Sequence, residues 1–455
     1  MRLELSDHGE PVIVCFCEMA SIMITKILHY LIAHINSLSA ISIRLIGIAV
    51  GYLITLLIGQ SLGPEALGQY GIITQTGMLL SIACIGGLDL SAIRSFSEAR
   101  AQALPPATRS LSILFIISFL SLLSVGTGLF FSAEFIVALL IGENAIRQVL
   151  LFIFLIALSR AFTRLTSSFL RSQDAHLLSN LIEVLLIPVI VLGFLLSDLL
   201  STLYEVVYAT AIASVFVAAF GVSSSFHKTK LKPEHTLVPI VPLLRRAAPL
   251  WVVAVSRSFG DWYSLAIVAA FLSLFETGIF RVAMQIASAF PVVMVGIFSV
   301  FGVRFGVAHA KQDYREIARL SRSATVLSCV LVIPIGFAIT IFAGPILSIV
   351  GPEFTRGSYV LQILVIGQVL YVCSGPAGLV LAMTGNEKTN LVIALFSLAL
   401  LLVSLPIAVS AFGLAGLALS MSIILVLRNL ASLLALYKIL GINALAGTYT
   451  VPESR

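Results

Sequence analysis

The sequence predicts an all-α integral membrane protein with about twelve transmembrane helices. Of its 455 residues, 59% are hydrophobic and only 11% are charged, whereas soluble domains carry about 25% charged residues. Apolar stretches of roughly 20 residues recur along the chain, and each can cross a hydrocarbon layer of about 30 Å as a helix. Backbone groups in lipid must be paired internally. Because the alternation of a membrane barrel is absent, the stretches are predicted to be helices.

Apolar runs separated by polar breaks define the individual spans. The predicted spans are 38–59, 68–92, 110–131, 148–170, 177–197, 204–226, 247–270, 275–303, 320–343, 358–383, 389–409 and 413–437. The predicted organisation is an N-terminal cytoplasmic segment (1–37), a six-helix lobe (38–226), a basic cytoplasmic linker (227–246), a second six-helix lobe (247–437) and a cytoplasmic tail (438–455). Acidic residues before the first span do not fit a signal peptide, and a translation start at Met19 or Met23 stays an open alternative.

The distribution of cations predicts the orientation. The breaks after the even-numbered spans carry nearly all of them: Arg94, Arg100, Arg109, Arg171, Lys228, Lys230, Lys232, Arg245, Arg246, Arg304, Lys311, Arg315, Arg319, Arg322 and Lys388. The opposite breaks hold only Arg147 and Arg356. By the positive-inside rule, both termini are predicted to be cytoplasmic. The formal charge of +6 is therefore interpreted as a topology signal, and no nucleic-acid partner is predicted.

The two halves of the chain resemble each other. LGPEALGQY at 62–70 precedes span 2, and LSLFETGIF at 272–280 precedes span 8. At an offset of 210 residues, Gly68 in the first half corresponds to Gly278 in the second half, and Gln75 corresponds to Gln285. An even number of spans in each repeat makes it a parallel repeat, related by an axis along the membrane normal. The sequence thus predicts two parallel six-helix bundles around a central cavity.

Charged residues inside the predicted spans are the candidate site, because charge in the membrane is costly. Arg257 and Asp261 lie four residues apart on span 7, and Arg281 and Gln285 share one face of span 8. Arginine matches phosphate oxygens with paired donors. The sequence predicts an anion-binding cavity lined by these residues. The alternatives are a self-neutralising Arg257–Asp261 pair and an Arg281 side chain that snorkels to the outer surface.

Further candidates are weaker. Arg44 lies near the cytoplasmic end of span 1, and Gln75 takes the repeat position of Gln285. Glu183 is interpreted as a partner of Arg160 or Arg164. Four more charged residues are interpreted as solvated helix ends: Asp89, Arg94, Glu205 and Arg428.

No pattern indicates a catalytic, metal or nucleotide site. No cofactor is predicted, and coupling to protons or sodium stays open.

The first half resembles the opening of polysaccharide-biosynthesis membrane proteins. The resemblance is carried by GYLI at 51–54, LGPEALGQY at 62–70 and GGLDLSAIR at 86–94. It points to the Wzx-type O-antigen flippases of the multidrug/oligosaccharidyl-lipid/polysaccharide exporter superfamily. This resemblance implies a cargo of oligosaccharide on undecaprenyl diphosphate, moved across the inner membrane by alternating access. It also implies contact with membrane lipid and leaves open contact with other polysaccharide assembly proteins.

Two alternatives remain. A cation-coupled drug antiporter of the same superfamily requires deep acidic residues, and span 1 has none. A membrane polysaccharide polymerase or ligase usually has a catalytic loop outside the bilayer, and the predicted outward loops are short. The sequence therefore favours a non-enzymatic flippase for O-antigen or another surface polysaccharide.

Overall fold

A computed structural model describes residues 35–89, 92–93, 96–97, 111–124, 127, 146–197, 200–228 and 240–450. The predicted N-terminal segment, apart from its last three residues, lies outside the described residues, as do both alternative start methionines. Most of the predicted linker, at 229–239, lies outside them as well.

The first half of the described chain is built from long apolar helices. They are α1 (Ile35–Ile85), α2 (Leu111–Ser124), α3 (Ile146–Ser172), α4 (His176–Asn180), α5 (Leu186–Leu196) and α6 (Leu203–Lys228). Helix α1 is divided at Gly63, whose φ is 78°, into α1a before it and α1b after it. Only glycine adopts this backbone geometry at low cost. A π turn at Leu181–Leu185 joins α4 to α5 just before Pro188, which lacks the N–H for a regular helical bond.

The second half is also helical. It contains α7 (Ile240–Phe271), α8 (Leu274–Ala287), α9 (Phe290–Ala310), α10 (Tyr314–Ile341), α11 (Ala343–Val350), a 3₁₀ turn (Pro352–Gly357), α12 (Ser358–Cys373), α13 (Ala377–Met383) and α14 (Glu387–Leu440). Helix α14 is divided at Gly413, with φ 58°. Two short antiparallel strands, β1 (Ile442–Asn443) and β2 (Thr448–Tyr449), follow it, with Ile442 opposite Tyr449. Ser273 caps α8 by accepting the N–H of Glu276.

Besides span 177–197, which the π turn divides into α4 and α5, two predicted spans are divided between two helices at a proline. The predicted span 275–303 breaks between α8 and α9, where Pro291 occupies the first turn of α9. The predicted span 358–383 breaks between α12 and α13, where Pro376 is the N-cap of α13. Proline has no N–H to continue the preceding helix but fits the first turn of the next one. Proline thus sets both boundaries.

The helices are long and apolar enough for a multi-pass membrane protein. Seven stretches of the described chain qualify by length and composition. Two of them, Ser42–Ile85 with 44 residues and Glu387–Leu440 with 54, are long enough for two crossings each. Large apolar side chains such as Phe337, Phe396 and Phe412 are 68–75% exposed, as expected for surfaces that face lipid. The all-helical membrane fold is confirmed, while the count of twelve stays a prediction.

The helices pack in two groups that meet along α1. In the first half, α1 packs against α3 and α5, and α3 packs against α6. In the second half, α14 packs against α7, α12 and α13, and α12 packs against α10. The groups meet where α1 contacts α7 and α8. The predicted site residues of spans 7 and 8 therefore lie on the helices that join the two halves.

Candidate functional site

The halves approach most closely where α1b crosses α8. A Cβ added at Gly68 would overlap the carbonyl oxygen of Leu274, and one added at Gly278 would overlap the carbonyl of Pro64. Gly68 thus packs against Leu274, four residues before Gly278, and Gly278 packs against Pro64, four residues before Gly68. The two contacts are related by the same offset of 210 residues that relates the two halves of the sequence. The backbones can come this close because neither glycine has a side chain. This contact is the reciprocal one expected at a pseudo-two-fold axis.

Arg281 lies three residues beyond this crossing and reaches from α8 onto α1b. Its guanidinium carbon lies 5.2 Å from the ring centroid of Tyr70, and Nη1 donates to Thr74 Oγ1 at 3.4 Å. A Cβ added at Gly71 would lie 2.6 Å from Arg281 Nη1. Gly71 is the repeat counterpart of Arg281, so the arginine occupies the space left by the missing side chain of its own counterpart.

The charge of Arg281 is not neutralised by any residue that the structure describes. Its Nε is buried without a hydrogen-bond partner, and no described carboxylate forms an ion pair with it. Stacking on Tyr70 offsets only part of the cost of removing a guanidinium from water. A half-buried cation with a free donor is suited to bind an anion.

Gln285 lies one turn further along α8 and faces α1a. Thr55 Oγ1 donates to Gln285 Oε1 at 2.7 Å, and a Cβ added at Gly51 would lie at an ordinary 3.6 Å from Gln285 Nε2. No described group accepts a hydrogen bond from this Nε2. Arg281 and Gln285 together place free N–H groups at the junction of the two halves.

Arg257 and Asp261 lie on α7 but form no ion pair with each other in the described structure. Arg257 is exposed and has Arg428 of α14 as an electrostatic neighbour. The helix around them is held by Trp262, whose Nε1 donates to Thr76 Oγ1 at 2.9 Å. Arg257 is nevertheless the electrostatic neighbour of Asp261, so the two charges interact without a direct ion pair.

The other two predicted residues occupy different places. Arg44, in the N-terminal part of α1a, has Arg171 as an electrostatic neighbour. Gln75 lies half-buried on α1b, next to Thr74 and Thr76, with no hydrogen-bond partner among the described residues. The structure thus brings Arg281 and Gln285 together, with Gln75 on the facing helix, and leaves Arg44 apart.

Two interpretations of acidic residues are wrong. Glu183 pairs with Arg171, not with Arg160 or Arg164. Asp89, expected to be solvated, is buried and accepts from Arg164 Nη2 at 2.8 Å. Both follow from the way α3 packs against the end of α1b and against the π turn, which the sequence spacing does not reveal. The contacts of Tyr70 and Thr74 were also missed, since only the crossing of α1b with α8 creates them.

Among the described residues no group of three or more His, Cys, Asp or Glu could hold a metal ion. Cys84, Cys329 and Cys373 are free thiols.

The close approach of the Arg281 guanidinium to Gly71 leads to a first prediction, about substitutions of glycine by alanine. Gly71→Ala places a methyl group against the guanidinium and pushes it off Tyr70, whereas Gly51→Ala makes only an ordinary contact with Gln285. We expect about a tenfold loss of the predicted transport activity in Gly71→Ala, because one charge-assisted contact is misplaced, and near-normal activity in Gly51→Ala. Transport rates at matched protein levels test this, and equal rates in the two variants would contradict it.

Comparison with known proteins identifies relatives of the whole fold. The sequence profile of a family described as "Polysaccharide biosynthesis protein" matches residues 34–301, and the MatE profile matches residues 249–409. No curated protein sequence gives a significant match.

Solved structures share the fold at low identity. An inward-facing multidrug resistance MATE family transporter of the MOP superfamily is 14% identical, with a TM-score of 0.72 over 88% of this chain and 96% of that one. The lipid II flippase MurJ, in an inward closed conformation, is 14% identical, with a TM-score of 0.68 over 88% and 87%. A MOP superfamily transporter from Pyrococcus furiosus, whose binding pocket is described as having reversed polarity, is 15% identical, with a TM-score of 0.61 over 87% and 94%.

Proposed function

The chain belongs to the polysaccharide biosynthesis protein family, whose profile spans residues 34–301, and from this premise we propose that it is a flippase for lipid-linked oligosaccharide. The broader class, a membrane transporter or flippase of the MOP superfamily, rests on the family matches and the shared fold. The proposed substrate is an undecaprenyl-diphosphate-linked repeat unit of O-antigen or another surface polysaccharide. The similar proteins are transporters and a flippase, and the proposed activity is not enzymatic.

Arg281 is the observation that carries the proposal. It is a half-buried cation at the junction of the two halves, and its Nε is buried without a hydrogen-bond partner among the described residues. A diphosphate supplies acceptor oxygens and negative charge for such a group. Because Arg281 projects from the second half onto the first half, an anion bound there is positioned to be released when the halves move apart.

The proposed location is the cytoplasmic membrane, with both termini inside. Lys311, Arg315 and Arg319 are exposed around the turn from α9 to α10, where the positive-inside rule places cytoplasmic surface. The proposed lobes are 38–226 and 247–437, moving against each other around the α1b–α8 crossing. The proposed partners are the lipid-linked substrate and bilayer lipid.

A drug antiporter is the second candidate, and Asp261 is the observation that favours it. This carboxylate forms no direct ion pair with a described residue, although Arg257 is its electrostatic neighbour, and it lies inside the part of the chain that matches the MatE profile. A carboxylate inside a membrane-spanning helix suits a cationic substrate or a coupling ion.

Purified full-length protein in proteoliposomes separates the two candidates. We expect it to move undecaprenyl-diphosphate oligosaccharide across the bilayer, measured by the loss of access for an external glycosidase. Cationic dye flux without glycolipid flipping would support the antiporter and overturn the proposal. Liposomes that lack protein provide the background.

The membrane potential is expected to drive the outward flipping of the undecaprenyl-diphosphate oligosaccharide. The anion moves outward from a compartment that is negative inside, and each elementary charge gains about 2.3 kcal/mol per 100 mV. Collapsing the potential at constant pH gradient is therefore expected to slow flipping severalfold, whereas collapsing the pH gradient alone leaves the rate near normal. Flipping that is insensitive to the potential would reject this coupling.

A further inference from the structure

Three arginines lie on one exposed face at the start of α10. Arg315, Arg319 and Arg322 are spaced by four and then three residues, so they are neighbours on the helix surface. All three are exposed, and the side chain of Arg319 is 79% exposed. The first turns of α10 thus present a row of cations outside the packed helices.

The same face of α10 continues as apolar surface. Val326, Val330, Ile333 and Phe337 follow Arg322 at intervals of four, four, three and four residues, and they are 51–68% exposed. Helix α10 has 28 residues and is long and apolar enough to cross a membrane. Exposed apolar side chains on such a helix lie against acyl chains, and cations at its end reach the headgroups. The boundary between Arg322 and Val326 therefore marks the level at which headgroups meet hydrocarbon.

Neighbouring carboxylates leave two of the three arginines without an ion pair. Glu316 pairs with Arg319 at 3.4 Å. The side chain of Asp313 is engaged at the N-cap of α10, where Oδ1 accepts the N–H of Glu316 at 2.9 Å. No carboxylate that the structure describes forms an ion pair with Arg315 or Arg322. Their guanidinium groups are therefore available to an external acceptor, and phosphate oxygens match their paired N–H donors.

The hairpin of β1 and β2 supports the arginine nearest the apolar surface. A Cβ added at Gly447, in the turn between the two strands, would lie 2.8 Å from Arg322 Cδ and 3.0 Å from Arg322 Cβ, so the hairpin packs against the aliphatic stem of Arg322. Tyr449 of β2 stacks on Tyr314 of α10 with ring centroids 5.7 Å apart, and Ile442 of β1 is fully buried. The stem of Arg322 is held while the residue stays exposed, which reduces the ordering that a bound headgroup must impose.

We propose that the α10 lipid site, defined as Arg315, Arg319, Arg322 and the apolar face that follows them, binds an anionic phospholipid of the bilayer. The arginines bind the phosphate and the net negative charge of the headgroup, while an acyl chain lies along Val326 and Val330. A basic cluster directly beside a membrane-crossing helix attracts anionic lipid, and each cation adds to the attraction. Zwitterionic lipid lacks the net charge and is bound more weakly. The proposed topology places this site in the cytoplasmic leaflet.

Lipid titration of the purified full-length protein tests the site, with bound lipid counted by native mass spectrometry. The probe is phosphatidylglycerol, and phosphatidylcholine with the same acyl chains is the zwitterionic comparison. We expect the native chain to bind phosphatidylglycerol about tenfold more tightly or better. A triple variant with Arg315→Gln, Arg319→Gln and Arg322→Gln is expected to lose about 100-fold in phosphatidylglycerol affinity, because each surface arginine contributes about fivefold. Its affinity for phosphatidylcholine is expected to stay unchanged.

Lys438→Gln is the matched control. Lys438 is a single exposed cation near the end of α14, and Leu434, one turn before it, is 61% exposed. This position combines a cation with apolar helix surface but lacks the row of three arginines, so normal phosphatidylglycerol binding is expected. A loss as large as that of the triple glutamine variant would show general attraction to basic residues and would refute the site.

A triple lysine variant at the same three positions separates charge recognition from an effect on folding. Lysine keeps the charge but lacks the paired donors, so we expect most of the phosphatidylglycerol affinity to return. Equal losses in the lysine and glutamine variants, or native affinity in the glutamine variant, would overturn the proposal. Equal affinity of the native chain for the two phospholipids would overturn it as well.

Inorganic phosphate distinguishes a lipid site from a site for a free anion. Because phosphate has no acyl chain to lie on the apolar face, we expect it to leave phosphatidylglycerol bound when the two are present at equal concentration. Displacement of the lipid under these conditions would reject the lipid as the occupant. The titration contains no oligosaccharide substrate, so its outcome is independent of whether the chain proves to be a flippase.

Discussion

Arg281→Gln is expected to abolish delivery of surface polysaccharide in the native host. The variant removes a half-buried cation that stacks on Tyr70, has a buried Nε and is neutralised by no described carboxylate. Truncating one partner of a buried charge pair weakens binding by about 100-fold or more, and here the missing partner is the proposed substrate. The measurement is surface glycan on cells whose chromosomal copy carries the substitution, at matched protein levels in the membrane.

Two further substitutions make this result specific. Arg281→Lys keeps the charge but loses the planar donors and the stacking, so we expect partial activity. Arg356 lies over the Phe275 ring at 5.8 Å but is exposed on the 3₁₀ turn, which makes Arg356→Gln the matched control with near-normal delivery. Normal surface glycan in Arg281→Gln would remove this residue from the substrate site while leaving the family membership untouched.

Gly278→Ala is expected to disrupt the contact between the halves. The added methyl group would overlap the backbone of Pro64, which cannot move aside as the end of a flexible side chain can. Overpacking of this kind costs about 1–3 kcal/mol, a large part of the stability of a folded protein. We expect a lower melting temperature of the purified protein and loss of transport. Gly68→Ala is expected to behave in the same way, since its methyl group meets Leu274 and Gly278.

Gly193→Ala is the control for these glycine substitutions. Gly193 lies on α5 with no atom within 4 Å of an added Cβ. Alanine has the better helix propensity by about 1 kcal/mol, so a neutral or slightly higher melting temperature is expected. If Gly278→Ala and Gly193→Ala melt alike, the α1b–α8 crossing does not hold the halves together.

Helices and repeat were readable from the sequence because their signals are local or periodic. Apolar runs of membrane-spanning length predicted the helical fold, and Gly63 and Gly413 divide the long helices where the polar breaks were predicted. The offset of 210 residues between Gly68 and Gly278 predicted that the two would be equivalent. It did not reveal that they pack at the same crossing.

The partners of the charged residues were decided by tertiary structure alone. Spacing on α8 predicted one polar face for Arg281 and Gln285, and that face does meet α1 through Thr74 and Thr55. The same reasoning offered as an alternative a self-neutralising Arg257–Asp261 pair, which forms no direct ion pair in the described structure, and it gave Glu183 the wrong arginine. A four-residue spacing places two side chains on one face of a helix, but whether their charges meet depends on rotamers and on the helices packed against them.

The sequence by itself therefore determined the membrane class, the helix pattern, the internal repeat and the helix face that carries Arg281. Tertiary structure decided that Arg281 occupies the space beside its own repeat counterpart, Gly71, and which arginines pair with Asp89 and Glu183. The physical reason is that burial and charge compensation depend on which helices pack together, whether the partners lie 75 residues apart, as Arg164 and Asp89 do, or 12 apart, as Arg171 and Glu183 do. Local periodicity contains no information about such contacts.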